Sequence, residues 1–355
     1  LGMQCPNGLS GHHRSPSYYR QSDSTRQHLM TQPTPFNLIV VSAQFEHGGN
    51  CFHRHLDSHP NLFVYMGESQ MGTQFSRNVM CPSIHPVRYG YPEFPEGTTY
   101  ERAFDLMWDE ECKAYLRCPQ RSKFKDCGVW MSEEKRRKAF LRHCRDFVPY
   151  DSPTETFVDK PFSRAQVIEA YFRSFFDAWE NLNRSGNETH YTGYVPGMVA
   201  ETDKFFSDFS TGHIIHIVRN PFSAYADYLK RPFPQQTLEE YCLAYNLGHH
   251  FAVNYAVKYP GRFHLVKLED FFADKRGVLE PILAQIGLPW SDNCLYPSFN
   301  GRDISENMYP WGTVEKPTTE YNHAAALSLP LDIKTRIAAE CALLIKTFNY
   351  ESYGQ

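Results

Sequence analysis

The sequence predicts a three-layer α/β sandwich: a central parallel sheet covered by helices on both faces. Three observations carry that prediction. Residues 36–41 and 213–218 form near-continuous apolar runs of strand length, which marks strands buried on both faces. A polar or glycine-containing turn closes each run, and a helical pattern follows it. The order strand, loop, helix then recurs at residues 263–268 and 276–286. Such repetition fits parallel strands joined by right-handed crossovers.

The elements follow in order. Residues 1–34 are rich in Ser, Gln, His and Arg without apolar periodicity, so they are expected to form a flexible arm. Residues 35–350 are expected to form one domain. Its first strand, 36–41, leads into a loop with Gly48-Gly49 and a helix ending near His59-Pro60. Free amides in the turn and the dipole of the helix make such a place a cradle for an anion. The loop's own charge opposes one, because it carries Glu46 and no Lys or Arg before Arg54. Residues 61–65 read as the second strand, with Glu68 just beyond it.

Proline and glycine punctuate residues 80–100, and residues 100–147 are charged and aromatic with helical spacing. Together, residues 80–150 are expected to form a loop and helical insertion. A longer helix is predicted over 163–182, where Val167, Ile168, Tyr171, Phe172, Phe175, Phe176 and Trp179 make one stripe. Such a stripe is read as core. Residues 213–218 end at Arg219-Asn-Pro221, with a helix predicted over 222–229. The strand at 263–268 ends at Glu269-Asp270, which are read as capping and sheet-edge residues. Ligands on parallel sheets collect at the strands' carboxyl ends, which places the 42–50 loop and Arg219 on one rim.

Composition excludes several classes. A formal net charge of −4 over 355 residues gives no basic field for nucleic acid. No apolar run approaches the roughly 20 residues that span a bilayer. The chain has 10 cysteines and no CxxC pair, which argues against a compact zinc site. Scattered thiols favour a reduced, cytoplasmic protein. The sequons Asn183-Arg-Ser185 and Asn187-Glu-Thr189 keep a lumenal location open. His47, His53, His55 and His59, with Glu46, invite a metal reading. Spacing opposes it, since His53 and His55 point about 200° apart on a helix. They are read as solvated or capping, no metal is expected, and the adjacent His249 and His250 are read as ordinary.

Glu68 is the candidate general base, because a carboxylate after the second strand would overlook the cleft. His47 is the second candidate, as a base or, when protonated, as a positive charge near a leaving group. Arg219 at a strand end suits a phosphate or carboxylate fork, and Asp227 lies two helical turns beyond it and can pair with it. Trp311, between Pro310 and Gly312, is a weaker candidate to cover a ligand.

Four segments together resemble the sulfotransferase family: the 42–50 loop with Leu56-Asp-Ser-His-Pro60; residues 61–68; Ile214-His-Ile-Val-Arg-Asn-Pro221; and Val266-Lys-Leu-Glu-Asp270 with residues 279–289. The resemblance implies the P-loop NTPase-like sulfotransferase fold. It also implies transfer of a sulfuryl group from 3′-phosphoadenosine 5′-phosphosulfate (PAPS) to a hydroxyl or amine of a small molecule or glycan. Carried over residue by residue, the donor's 5′ side falls to Glu46, His47, Gly48, Gly49, Asn50 and Cys51. Its 3′-phosphate falls to Arg219, with Ser223 or Asp227. Three positions depart from the family pattern. Glu46 stands where a basic residue is usual, Asp227 where a serine is usual, and Tyr194-Val-Pro196 where Lys-Thr-Pro is usual. A like charge about 4 Å from the donor costs about 4 kcal/mol at an effective dielectric of 20. Two alternatives therefore stand beside the PAPS reading: the same fold with a less anionic ligand, and a binding protein without turnover.

Overall fold

The computed structural model describes residues 35–69, 71, 91–108, 129–147, 163–230, 236–304 and 318–355. The expected arm at 1–34, most of the proline-punctuated loop and Trp311 lie outside these residues.

The chain begins with β1 (Asn37–Ala43), α1 (Gly49–His55) and β2 (Leu62–Glu68). Among the described residues α2 (Tyr100–Met107), α3 (Glu133–Asp146) and α4 (Arg164–Ala178) follow, before β3 (His190–Tyr194) and α5 (Thr202–Asp208). Next come β4 (His213–Val218), α6 (Pro221–Tyr228), α7 (Leu238–Lys258) and β5 (Phe263–Lys267). The remaining elements are α8 (Leu268–Ala273), α9 (Lys275–Ile286), a hairpin of β6 (Ser298–Phe299) and β7 (Arg302–Asp303), α10 (Thr319–Leu327), α11 (Leu331–Glu340) and α12 (Ala342–Thr347).

Five strands form one sheet in the order β2-β3-β1-β4-β5, and every pair in it is parallel. β1 lies at the centre, with β3 on one side and β4 on the other. Strand order reverses there, so a crevice opens outside the carboxyl ends of these strands.

Side-chain alternation along β1 makes the three layers. Leu38 and Val40 join Ile214 and the α4 stripe on one face. Ile39, Val41 and Ala43 join Ile215, Ile217, Phe52 and Leu56 on the other, under Leu279, Leu283 and Ile286 of α9. Each such Leu, Ile, Val or Phe side chain contributes about 1.5–3 kcal/mol by leaving water. A third cluster joins α6 and α7 to the C-terminal helices through Phe222, Tyr241, Tyr245, Ile337, Leu344 and Tyr350.

Local chemistry sets the element ends. Ser163 and Gln166 form a capping box that starts α4, and the chain turns extended at Trp179, earlier than the expected Leu182. Asn220 caps α6 with Pro221 in its first turn, a pairing that leaves no wasted amide. Leu268 opens a helix instead of ending the strand. Its side chain lies where a Cβ on Gly48 would be, 2.6 Å away.

Candidate active site

Two tight contacts shape the loop after β1. Gly48 has φ +79° and would meet Leu268, while a Cβ on Gly49 would lie 2.5 Å from the Tyr194 ring and 2.6 Å from the Ala43 Cβ. The glycines thus let α1 lie directly on the strand ends. Glu46 also adopts a left-handed conformation, φ 61°, which a non-glycine residue holds only against strain. The amide of His47 bonds Gln44 O at 3.2 Å, so any anion cradle here is confined to the amides of residues 48–51. Gln44 anchors the turn through its Nε2, which donates to Ala244 O at 2.5 Å. Asn50 and Cys51 are buried, and neither polar atom of the Asn50 side chain has a protein partner.

The register of β1 and β4 places Ser42 opposite His216, on the face that α7 covers. A chain of hydrogen bonds starts there. His216 Nδ1 lies 3.2 Å from Ser42 Oγ, and His216 Nε2 lies 3.3 Å from His249 Nδ1. His249 Nε2 then lies 3.1 Å from His47 Nδ1. All four side chains are fully buried, and His47 Nε2 ends the chain without a protein partner. Burial first, then the neighbouring Arg219 and His216, hold the His47 pKa well below its ordinary value. Burial likewise brings His216 to about 3, and burial with the two other histidines depresses His249. Each ring is therefore neutral and carries one N–H. The three tautomers are coupled: either every ring donates toward Ser42 and His47 Nε2 accepts, or every ring donates toward His47 and its Nε2 donates. A protonated His47, expected above as a positive charge near a leaving group, is disfavoured by this burial.

The other histidines also differ from expectation. His53, His55 and His59 are buried, because α1 is packed between the sheet and α8. His53 Nδ1 meets Arg54 Nη2 at 2.8 Å, and His55 Nδ1 meets Cys294 O at 3.0 Å. His59 Nε2 meets Pro289 O at 2.9 Å, and His59 Nδ1 accepts from the Asn61 amide at 3.1 Å. Among the described residues no three His, Cys, Asp or Glu side chains group as a metal site.

Arg219 follows β4 and is fully buried. Its Nη1 donates to the Glu46 carbonyl at 2.8 Å, and its Nε donates to Asn322 Oδ1 at 2.7 Å. Its Nη2 lies 2.7 Å from Asp227 Oδ2. Ser223 Oγ donates to Asn322 O at 2.5 Å. Glu269, read from the sequence as a capping or sheet-edge residue, is instead an inner brace. Its carboxylate accepts from the Asn220 amide and side chain at 2.9 and 2.8 Å, and from the Tyr350 hydroxyl at 2.9 Å. The structure thus brings Glu46, Arg219, Ser223 and Asp227 together, and adds Glu269, Tyr321, Asn322 and Tyr350.

Glu68 ends β2, half-buried, after a register shift that sets it opposite Tyr194 of β3. Bulges of this kind re-aim side chains at sheet rims. β3 lies between β2 and β1, so Glu68 and the β1 loop start about 10 Å apart at strand spacing. A cavity of about 350 Å³ lies elsewhere, against Asp57, His59, the first residues of β2 and Arg184, at the amino ends of the strands. Asp57 there accepts from Ser298 and the Gly301 amide, and both nitrogens of His59 are bonded as described.

A family model described as the Sulfotransferase family matches residues 108–292, just over half of the chain. The chain belongs to the sulfotransferase family. A comparison with curated proteins finds no match. Among solved structures, this sulfotransferase is similar to the sulfotransferase domain from the Synechococcus PCC 7002 olefin synthase, with 14% identity and a TM-score of 0.42 over 84% of this chain and 97% of that one. It is also similar to the sulfotransferase domain from the curacin biosynthetic pathway, with 12% identity and a TM-score of 0.42 over 86% and 97%. A third likeness is to the sulfotransferase STF9 from Mycobacterium avium, with 14% identity and a TM-score of 0.40 over 89% and 77%.

Sulfotransferases generally use PAPS, whose 3′-phosphate the resemblance assigns to Arg219. The residues of this chain do not fit that phosphate. All three nitrogens of the Arg219 guanidinium face protein oxygens, and Asp227 occupies the position of the usual serine with 0% exposure. Sequence reasoning found Arg219 and Asp227 but missed His216, His249 and Asn322. Their importance depends on strand register and on contacts up to 202 positions apart. The one available signal was the polar pair Ser42 and His216 inside otherwise apolar strands.

Proposed function

We propose that this sulfotransferase moves a sulfuryl group from a phosphosulfate or sulfate-ester donor to a hydroxyl or amine of a small molecule or glycan. The reaction would take place at the carboxyl rim of β1, β3 and β2. One observation carries the reading: a buried imidazole nitrogen without a protein partner, His47 Nε2, lies on the same sheet rim as the Glu68 carboxylate. Glu68 takes the proton of the acceptor hydroxyl or amine while the acceptor's lone pair forms a bond to sulfur. The bond from sulfur to the donor oxygen breaks, and the leaving group departs with that electron pair. His47, when its Nδ1 accepts from His249, presents Nε2–H to an oxygen on which negative charge develops, a contact worth most where water is excluded. Asn50, in the first turn of α1, offers its side-chain amide as a second donor.

Family membership supports PAPS as the general donor, and the Arg219 corner supports a donor of a different kind. Among the described residues Cys51, Cys144, Cys242, Cys294 and Cys341 are buried and unbridged, which supports a reducing compartment. No described helix is long and apolar enough to cross a membrane.

The test is direct. Purified protein is incubated with sulfur-labelled PAPS, labelled adenosine 5′-phosphosulfate or 4-nitrophenyl sulfate, over a panel of phenols and amino sugars. Label is expected on an acceptor from at least one donor, and Glu68→Gln is expected to lower the rate by about a hundredfold or more. Absence of transfer from every donor would remove the enzymatic reading.

A further inference from the structure

We propose that the donor used by this chain carries no phosphate on its 3′ side, because Asp227 and Asn322 close the corner where such a phosphate would sit. The inference rests on the sulfuryl-transfer reading above.

The corner is built from β4, α6 and α10 with the first loop. Arg219 donates from Nε to Asn322 Oδ1 at 2.7 Å and from Nη1 to the Glu46 carbonyl at 2.8 Å, and its Nη2 lies 2.7 Å from Asp227 Oδ2 as an ion pair. Asp227 Oδ1 also receives Lys230 Nζ at 2.8 Å and the Tyr321 hydroxyl at 2.9 Å. The Ser223 hydroxyl is spent on the Asn322 carbonyl, and the Asn322 side-chain amide donates to Thr318 O at 3.1 Å. Arg219, Ser223 and Asp227 are 0% exposed and Asn322 is 1% exposed. A phosphate oxygen would have to displace protein acceptors that α10 holds in place.

Charge gives the same answer. Arg219 and Lys230 bring two positive charges to the corner. Asp227 touches both, and Glu269 and Glu46 also act on Arg219 through space. The corner therefore has no surplus positive charge for a dianion, and an incoming phosphate would meet a carboxylate where a hydroxyl donor is usual. A donor with no phosphate on its 3′ side avoids both obstacles. Two sources share that chemistry: adenosine 5′-phosphosulfate, which lacks the 3′-phosphate, and an aryl sulfate ester.

Calorimetric titrations of the wild type with adenosine 3′,5′-bisphosphate, adenosine 5′-monophosphate and 4-nitrophenyl sulfate test the proposal. The bisphosphate is expected to bind no more tightly than the monophosphate. Saturation by the monophosphate supports a nucleotide donor, and saturation by 4-nitrophenyl sulfate supports an aryl ester. Asp227→Ser is expected to gain at least tenfold in affinity for the bisphosphate. Because that variant leaves Arg219 buried without its carboxylate, Asn322→Ala serves as a second variant, expected to change in the same direction. Bisphosphate binding to wild type more than tenfold tighter than the monophosphate overturns the proposal, as does the absence of a gain in both variants. The transfer assay separates the two failures. Fastest transfer from PAPS overturns the inference and leaves the sulfuryl-transfer reading standing, whereas no transfer from any donor overturns both.

Discussion

Arg219 and Asp227 lie 2.7 Å apart with side-chain exposures of 1% and 0%, and this pair fixes the loop after β1 from below. Arg219 carries the Glu46 carbonyl on its other nitrogen, so the left-handed turn at Glu46 is held by an ion pair that begins on α6. Removing either partner strands a buried charge. Asp227→Ala and Arg219→Ala are each expected to lower stability by about 3–5 kcal/mol in urea unfolding. The double variant should lose clearly less than the sum of the two, since contacting residues are not additive. Strict additivity in that cycle would contradict the pairing.

The histidine chain predicts a catalytic effect at a distance. His249→Phe removes the bond that sets the tautomer of His47. With KM little changed, kcat is expected to fall by about tenfold, part of the hundredfold to ten-thousandfold contribution of a positioned acid or base. The nitrogen NMR shifts of His47 should change at the same time, from one defined tautomer to a mixture. Unchanged shifts would mean that His249 does not direct His47.

Acid should unfold the protein early. In the folded state His216 and His55 titrate near 3, chiefly because they are buried, and His47, His53 and His249 are held well below 6.5. Below pH 6.5 the unfolded chain binds protons that the folded chain refuses. Stability therefore falls as pH drops from 6.5 toward about 3. Each such histidine adds a slope of at most about 1.4 kcal/mol per pH unit. Urea midpoints between pH 6.5 and 4.5 should show a slope steeper than one histidine can give, and a flat profile would contradict the buried, neutral rings.

Two glycines test the packing of the loop. Gly49→Ala places a methyl 2.5 Å from the Tyr194 ring and 2.6 Å from Ala43, and overpacking of that kind costs about 1–3 kcal/mol. Gly48→Ala adds the strain of a positive φ to its clash with Leu268. Both variants should lower the thermal midpoint without any ligand present. A neutral Gly49→Ala would show that α1 is not seated on the strand ends as described.

The layers were legible because period and composition are local. The apolar runs at 36–41 and 213–218 needed no partner to be recognised, and the aromatic stripe from Val167 to Trp179 marked α4. The site was legible only where one segment contained both halves of a contact, as with Arg219 just after β4 and Asp227 near the end of α6. Ser42 and His216 became neighbours through strand register, and Asn322 reaches Arg219 from 103 residues away. Neither relationship leaves a periodic trace in the sequence. Burial was misjudged for the α1 histidines because polar residues were assigned to solvent, whereas a seven-residue helix between two layers has no solvent face.

The most direct test of this account is the ratio of initial rates of sulfuryl transfer to 2-naphthol from adenosine 5′-phosphosulfate and from PAPS, at equal concentrations and moderate salt. The closed Arg219–Asp227–Asn322 corner gives the 3′-phosphate no favourable contact and predicts a ratio of one or more in favour of the donor without it. A ratio below one, with PAPS the faster donor, would contradict it.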